Sequence, residues 1–223
     1  MIKVYLHPLP IRIWHWVNAL AFIILIVTGA QVRFGNVMHL FSFETAVTIH
    51  SLTGFILVGN YFIWLVYYLL TGNIKIYIPP LNHPVEFAKK AIVQAKFYGG
   101  GIMVGSHNPH HSTPDHKFNP MQQVSYLMIM VLLIPLQLIT GLLLWDPKLF
   151  SPIINVAGGI QIIEIVHVLL WIFFSAFIIV HFYLATLGHT TWAHIIAMFT
   201  GFEEEEEEEG HGHGEEHGHS HSH

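Results

Sequence analysis

Four apolar stretches dominate this chain, over residues 11–32, 47–70, 124–145 and 160–187. Each reaches the roughly 20 residues that a helix needs to cross a bilayer. The sequence therefore predicts an all-α membrane protein, a four-transmembrane-helix bundle. Its helices run over about 11–33, 44–70, 120–145 and 160–188, within a domain of residues 1–202. Composition agrees: 53% of the 223 residues are hydrophobic and 10% are charged, where a soluble domain carries about 25% charged residues. The first stretch is too long, and too polar at its far end, for a cleaved signal peptide, and no small-residue cleavage site follows it.

The basic residues give an orientation. Lys3 and Arg12 precede or open the first helix, and Lys75, Lys89, Lys90, Lys96 and Lys117 lie in the long loop between the second and third. Arg33 and Lys148 alone fall on the other side. The positive-inside rule then makes both termini and the long loop cytoplasmic. Trp14, Trp16, Trp145 and Trp192 lie near helix ends, as interfacial anchors do.

Inside the apolar stretches sit four histidines: His15, His50, His167 and His181. An ionisable side chain in hydrocarbon is costly and marks a functional site by default. His167 and His181 share the last helix, fourteen residues apart, which is about 21 Å along the axis and just under four turns, so both leave one face. With the predicted topology, His15 and His181 lie near the cytoplasmic side, and His50 and His167 near the outer side. A single histidine would more simply be a hydrogen-bonded core residue. Four at two matched depths suit axial ligation of haem iron by imidazole, with pairs His15/His181 inner and His50/His167 outer. The chain has no cysteine. That excludes Cys-linked c-type haem and iron–sulfur ligation by this chain, so the cofactors expected are two non-covalent haems b.

The segments from His7 to Trp16, Phe118 to Gln122, and Leu138 to Trp145 resemble the dihaem cytochrome b subunits of nickel-iron hydrogenases, formate dehydrogenase-N and thiosulfate reductase. The resemblance covers roughly residues 5–200. Its most specific element is the fourteen-residue histidine spacing on the last helix, with one histidine on each of the first two. It implies the same haem pairing and a quinone site beside the inner haem, with Asn119 and Gln122 at the matching positions. Both amides donate and accept, as quinone chemistry requires; Asn119 followed by Pro120 is equally a helix start signal. The resemblance departs at Met121 and Gln123, where the family often has Gly and Lys. Arg12, one turn before His15, is a candidate partner for a haem propionate or a cytoplasmic anchor.

The expected function is that of a membrane-anchoring cytochrome b subunit of a respiratory oxidoreductase, in a bacterial or archaeal cytoplasmic membrane. It would carry electrons between an extracytoplasmic partner and the quinone or menaquinone pool. That partner would be an iron–sulfur or multihaem cytochrome c subunit, with or without a catalytic subunit; no nucleic acid is expected. The alternative is a His-rich divalent-metal transporter. It is suggested by loop residues His107, His110, His111 and His116 and by the tail, but Glu44, Asp146 and Glu164 fall at helix ends and leave a metal path no middle. Glu164, one turn before His167, is placed near the outer haem or simply at the helix start.

Smaller features complete the expectation. Pro135 is expected to kink the third helix. Gly29, Gly54 and Gly141 suit close approach of a backbone or a flat macrocycle. Residues 84–98 suit an interfacial helix. The tail, residues 203–223, holds nine of the fourteen acidic residues, so the body is basic by about +4. A run of seven glutamates followed by Gly/His alternation cannot bury a core and is expected to be disordered. Its residues His211, His213, His217, His219, His221 and His223 suit weak Ni²⁺ or Zn²⁺ binding.

Overall fold

The structure, a computed structural model, describes residues 2–79, 82–107, 109, 119–186 and 190–205. His110, His111, His116 and the tail beyond Glu205, with its six histidines, lie outside the described residues. Four helical spans carry the fold: Leu9–Arg33, Phe43–Leu70, Pro120–Trp145 and Ile160–Ala185. Only 17% to 28% of each span's most apolar window is buried within the protein, so most of the apolar surface faces outward, as a lipid-immersed bundle requires.

Strand β1 (Ile2–Tyr5) leads into helix α1 (Leu9–Arg33), which starts after Pro8 with Pro10 in its first turn. Proline is tolerated there because the first N–H groups of a helix have no internal acceptor. Helix α2 (Phe43–Leu70) is capped by Ser42, whose hydroxyl accepts from the Thr45 amide at 3.1 Å. In the loop before it, buried Gln31 accepts from the Leu40 amide and donates to the Met38 carbonyl, fixing the turn. The amphipathic segment is helix α3 (Pro84–Gly99), lying against α4 (Pro120–Leu127).

The third span is not a uniform helix. Between α4 and α5 (Ile134–Trp145) the backbone widens into a π turn over Met128–Leu133. The kink expected at Pro135 takes this form: proline has no N–H for the carbonyl one turn earlier, so the ladder is disturbed just upstream. Tyr61 of α2 donates its hydroxyl to the Met130 carbonyl at 3.0 Å and so partners one acceptor of the widened turn.

Short helix α6 (Ser151–Val156) precedes α7 (Ile160–Ala185), and helix α8 (Ala193–Thr200) follows it. Strand β2 (Phe202–Glu205) then pairs antiparallel with β1, Lys3 facing Glu204. Two expectations are corrected here. The ribbon adds a strand pair to the otherwise all-α fold, and Glu203–Glu205, expected to be disordered, form one of its strands. Backbone pairing with β1 supplies the hydrogen bonds that such a low-complexity run cannot supply by itself.

Within the bundle, α1 packs along α2 and α5 along α7, while α2–α5 and α1–α7 contacts close the ring. The core joins Phe22, Leu57, Trp64, Leu170 and Phe174, with Met130 and Ile134 from the third span. Phe22 and Phe174 meet edge to face at 5.2 Å between centroids. Phe174 lies midway in sequence between His167 and His181, and Phe22 seven residues beyond His15.

The end carrying the termini is closed by α8. Gly201 ends it at φ +92°, and a Cβ there would lie 2.7 Å from the Tyr5 ring and 2.8 Å from the His7 carbonyl. The Gly201 carbonyl accepts from the amides of Leu6 and His7. Both conformation and space exclude a side chain. Gly201→Ala is expected to destabilise the protein by about 1–3 kcal/mol. Gly72→Ala, at φ +69° but with nothing within 4 Å, should carry the conformational cost alone, about 1 kcal/mol. Thermal unfolding in detergent should place the midpoint of Gly201→Ala below that of Gly72→Ala.

Candidate functional site

The four membrane histidines come together in two pairs. His15 of α1 and His181 of α7 lie 6.2 Å apart between ring centroids, at the end carrying the termini. His50 of α2 and His167 of α7 lie 6.3 Å apart at the opposite end. Both pairs are those that depth predicts. A metal–imidazole bond of about 2 Å, plus about 1.1 Å from nitrogen to ring centre, puts two axial imidazoles on one iron about 6.2 Å apart between centroids. Each pair therefore already stands at the separation that bis-histidine ligation needs.

The surroundings also fit a flat macrocycle. A Cβ at Gly141 would lie 3.1 Å from Cε1 of His167, and one at Gly29 would lie 3.4 Å from Cε1 of His50 and 3.1 Å from Nε1 of Trp171. Gly54, one turn beyond His50, has open space where its side chain would be. Trp171 is held by donating its indole N–H to the Ile26 carbonyl at 3.2 Å.

Around the pair at the far end lie polar side chains that sequence reasoning missed. Thr28 Oγ1 stands 2.9 Å from Nδ1 of His50, and Thr140 Oγ1 stands 3.0 Å from Nδ1 of His167. Gln137 Nε2 lies 3.3 Å from Nε2 of His167. The pair at the termini end is more aromatic. His181 stacks on Phe177 at 5.6 Å, and His15 meets the edge of Trp16 at 5.2 Å. Nδ1 of His15 is buried with no hydrogen-bond partner among the described residues.

Arg12, a candidate propionate partner or cytoplasmic anchor, reaches the last helix, and its Nε has no partner among the described residues. Its Nη1 donates to the Phe199 carbonyl at the C-terminal end of α8, a cation satisfying an orphan helix carbonyl. Trp16 joins it by donating to the Met198 carbonyl at 3.1 Å and stacking on Phe199. Trp14 donates to the Asn60 carbonyl at 2.9 Å, and Asn60 returns a bond to the Trp14 carbonyl. Trp14 and Trp16 thus join elements of the protein, whereas Trp145 and Trp192 are exposed as anchors would be.

Asn119 and Gln122 form a capping box at the start of α4. Asn119 Oδ1 accepts from the Gln122 amide at 2.9 Å, and Gln122 Oε1 accepts from the Asn119 amide at 3.1 Å. Asn119 is buried, and its side-chain amide donates to the Tyr98 hydroxyl. The helix-start role of Asn119 is therefore present; the box leaves the Gln122 side-chain N–H₂ outside it. Gln123 donates to the carbonyls of Ile76 and Ile78 and ties the loop to α4. Glu164 is exposed at the start of α7, and among the described residues no group of three histidines or acidic residues is placed to hold a metal ion.

Four apolar spans enclosing two facing pairs of imidazoles define a membrane cytochrome of the b type. The chain belongs to the prokaryotic cytochrome b561 family, whose sequence profile matches residues 6–201. It is 32% identical over 206 residues to the putative cytochrome YdhU of Escherichia coli, covering 90% of this chain and 74% of that one. Over 27 residues it is 63% identical to the probable Ni/Fe-hydrogenase B-type cytochrome subunit of Rhodobacter capsulatus, covering 12% of this chain and 10% of that one. No solved structure matches the chain. Family membership makes this a multi-pass prokaryotic membrane protein that carries haem b in electron transport, and it displaces the metal-transporter alternative.

The close approach at Gly141 gives a direct test. Gly141→Val adds three carbons where even Cβ already presses on His167, so the imidazole must move. On the bis-histidine ligation proposed below, haem at the His50/His167 level should be lost, read as a partial fall in pyridine haemochrome absorbance, with the remaining haem spectrally unchanged.

Proposed function

We propose that this chain is the membrane-embedded electron-transfer subunit of a larger respiratory oxidoreductase, acting between a redox partner outside the cytoplasm and the quinone pool. The single observation that supports it most is the pair of imidazole pairs, each at bis-histidine spacing and at two levels of one bundle. His15 and His181 would hold one haem b, and His50 and His167 the other. Each haem, when bound, supplies a one-electron iron couple.

The protein's own part is placement. Fourteen residues of α7 separate His167 from His181, about 21 Å of rise, so the two sites lie towards opposite faces of the membrane. Lys3 and Arg12 at the start of α1, with the lysines from Lys75 to Lys96, support a cytoplasmic position for the His15/His181 level. A docking partner would then face the His50/His167 end. The similarity to a probable hydrogenase cytochrome subunit supports such a partner. An iron–sulfur or multihaem cytochrome c subunit suits a chain that has no cysteine for a cluster of its own.

Quinone is placed at the end carrying the termini, where α4 begins. Gln122 offers the side-chain N–H₂ that its capping box does not use, and the site lies at the membrane edge, where protons can be exchanged. The cytoplasmic tail histidines remain a candidate Ni²⁺ or Zn²⁺ site separate from this path.

Two experiments test the reading. His15→Ala and His181→Ala should each remove one spectral component, and His50→Ala and His167→Ala the other; loss of the same component from His15→Ala and His167→Ala would overturn the pairing. Gln122→Leu should slow quinone-dependent haem oxidation severalfold with both haems retained. Unchanged turnover, in an assay limited by the quinone step, would move the quinone site elsewhere.

A further inference from the structure

Both histidines at the far end face the same dipeptide on a neighbouring helix. Thr28-Gly29 of α1 meets His50 of α2, and Thr140-Gly141 of α5 meets His167 of α7. In each case the glycine lets the imidazole come close while the threonine stands at its Nδ1. Both threonines are buried, at 2% and 3% exposure, so their hydroxyls have no water to turn to.

The direction of these bonds follows from counting protons. Thr28 Oγ1 lies 2.7 Å from the Ile24 carbonyl, and Thr140 Oγ1 lies 2.8 Å from the Leu136 carbonyl. A carbonyl can only accept, and a hydroxyl has one proton, so that proton is committed to the helix backbone. The hydroxyl oxygen can then only accept from the imidazole, which puts the proton of each histidine on Nδ1 and the lone pair on Nε2.

We propose that Thr28 and Thr140 are paired positioning residues. They fix the Nδ1–H tautomer of His50 and His167, present both Nε2 atoms to one iron, and hold down the reduction potential of that centre. This rests on the haem ligation proposed above. A ligand imidazole that donates its other N–H becomes a stronger base, and a stronger base favours ferric over ferrous iron. His15 has no such acceptor at its Nδ1 among the described residues, so the two levels are tuned differently.

The test uses the full-length protein with its haems, purified in detergent, and the variants Thr28→Val, Thr140→Val, Thr28→Ser and Thr140→Ser. Valine keeps the volume and removes the acceptor; serine keeps the acceptor. Haem content, potentiometric titration of the α-band and the low-spin ferric EPR signal are read for each. The expected result is an upward shift of the same one of two midpoint potentials in both valine variants. A changed EPR signal should accompany it, the other haem should not move, and serine should return the wild-type value. Loss of one haem in the valine variants with retention in the serine variants supports the proposal equally. Unmoved potentials in both valine variants, or the same change in serine as in valine, would overturn it while leaving the ligation intact. A wild-type protein with fewer than two bis-histidine haems would instead overturn the reading beneath it.

Discussion

An imidazole inside a bilayer must have its ring nitrogens engaged, because no water is there to do it. At His50 and His167 the structure meets that demand with side chains from neighbouring helices. The histidines that face each other come from α1 and α7 and from α2 and α7, while the helices in closest contact are α1 with α2 and α5 with α7. At the far end, the Thr28–His50 and Thr140–His167 bonds each join one of these pairs. The same contacts that satisfy the imidazoles thus fix the relative rotation of the helices, and the site and the packing are one problem with one solution.

The end carrying the termini is held by other means. There Arg12 and Trp16 fasten α1 to the last carbonyls of α8, and Gly201 turns the chain back so that β2 pairs with β1. These contacts cover the start of α1 within a turn of His15. Asn60 and Trp14 exchange bonds with each other's residues across α1 and α2. Backbone carbonyls are the recurring acceptors here, which suits side chains that must be held without introducing further charge into the membrane.

Much of this was legible in the sequence, and the parts that were not share a cause. The four spans, the two histidine pairs and the α3 helix rest on length, periodicity and depth, all of which are local properties. Thr28 and Thr140 are not legible in the sequence because a threonine bonding to the carbonyl four residues back is ordinary inside a helix, and Thr-Gly also occurs at Thr53-Gly54, Thr71-Gly72 and Thr200-Gly201. The bond from Arg12 to the Phe199 carbonyl is not legible in the sequence because the two lie 187 residues apart. Helix α8 was missed as a short element beyond the last span, and Glu203–Glu205 read as tail because their strand partner lies at the other terminus.

The edge-to-face contact of Phe22 and Phe174 has a bearing on energy conservation. These rings, with Leu57 and Leu170, form a dry layer between the two histidine levels. A chain of waters needs polar partners at each step, and these four side chains supply none. Electrons need no such chain, since they tunnel through packed side chains without an atom changing place. On the electron-transfer role proposed above, the layer would act as a selective insulator, letting electrons pass between the two levels while offering protons no polar path through these side chains.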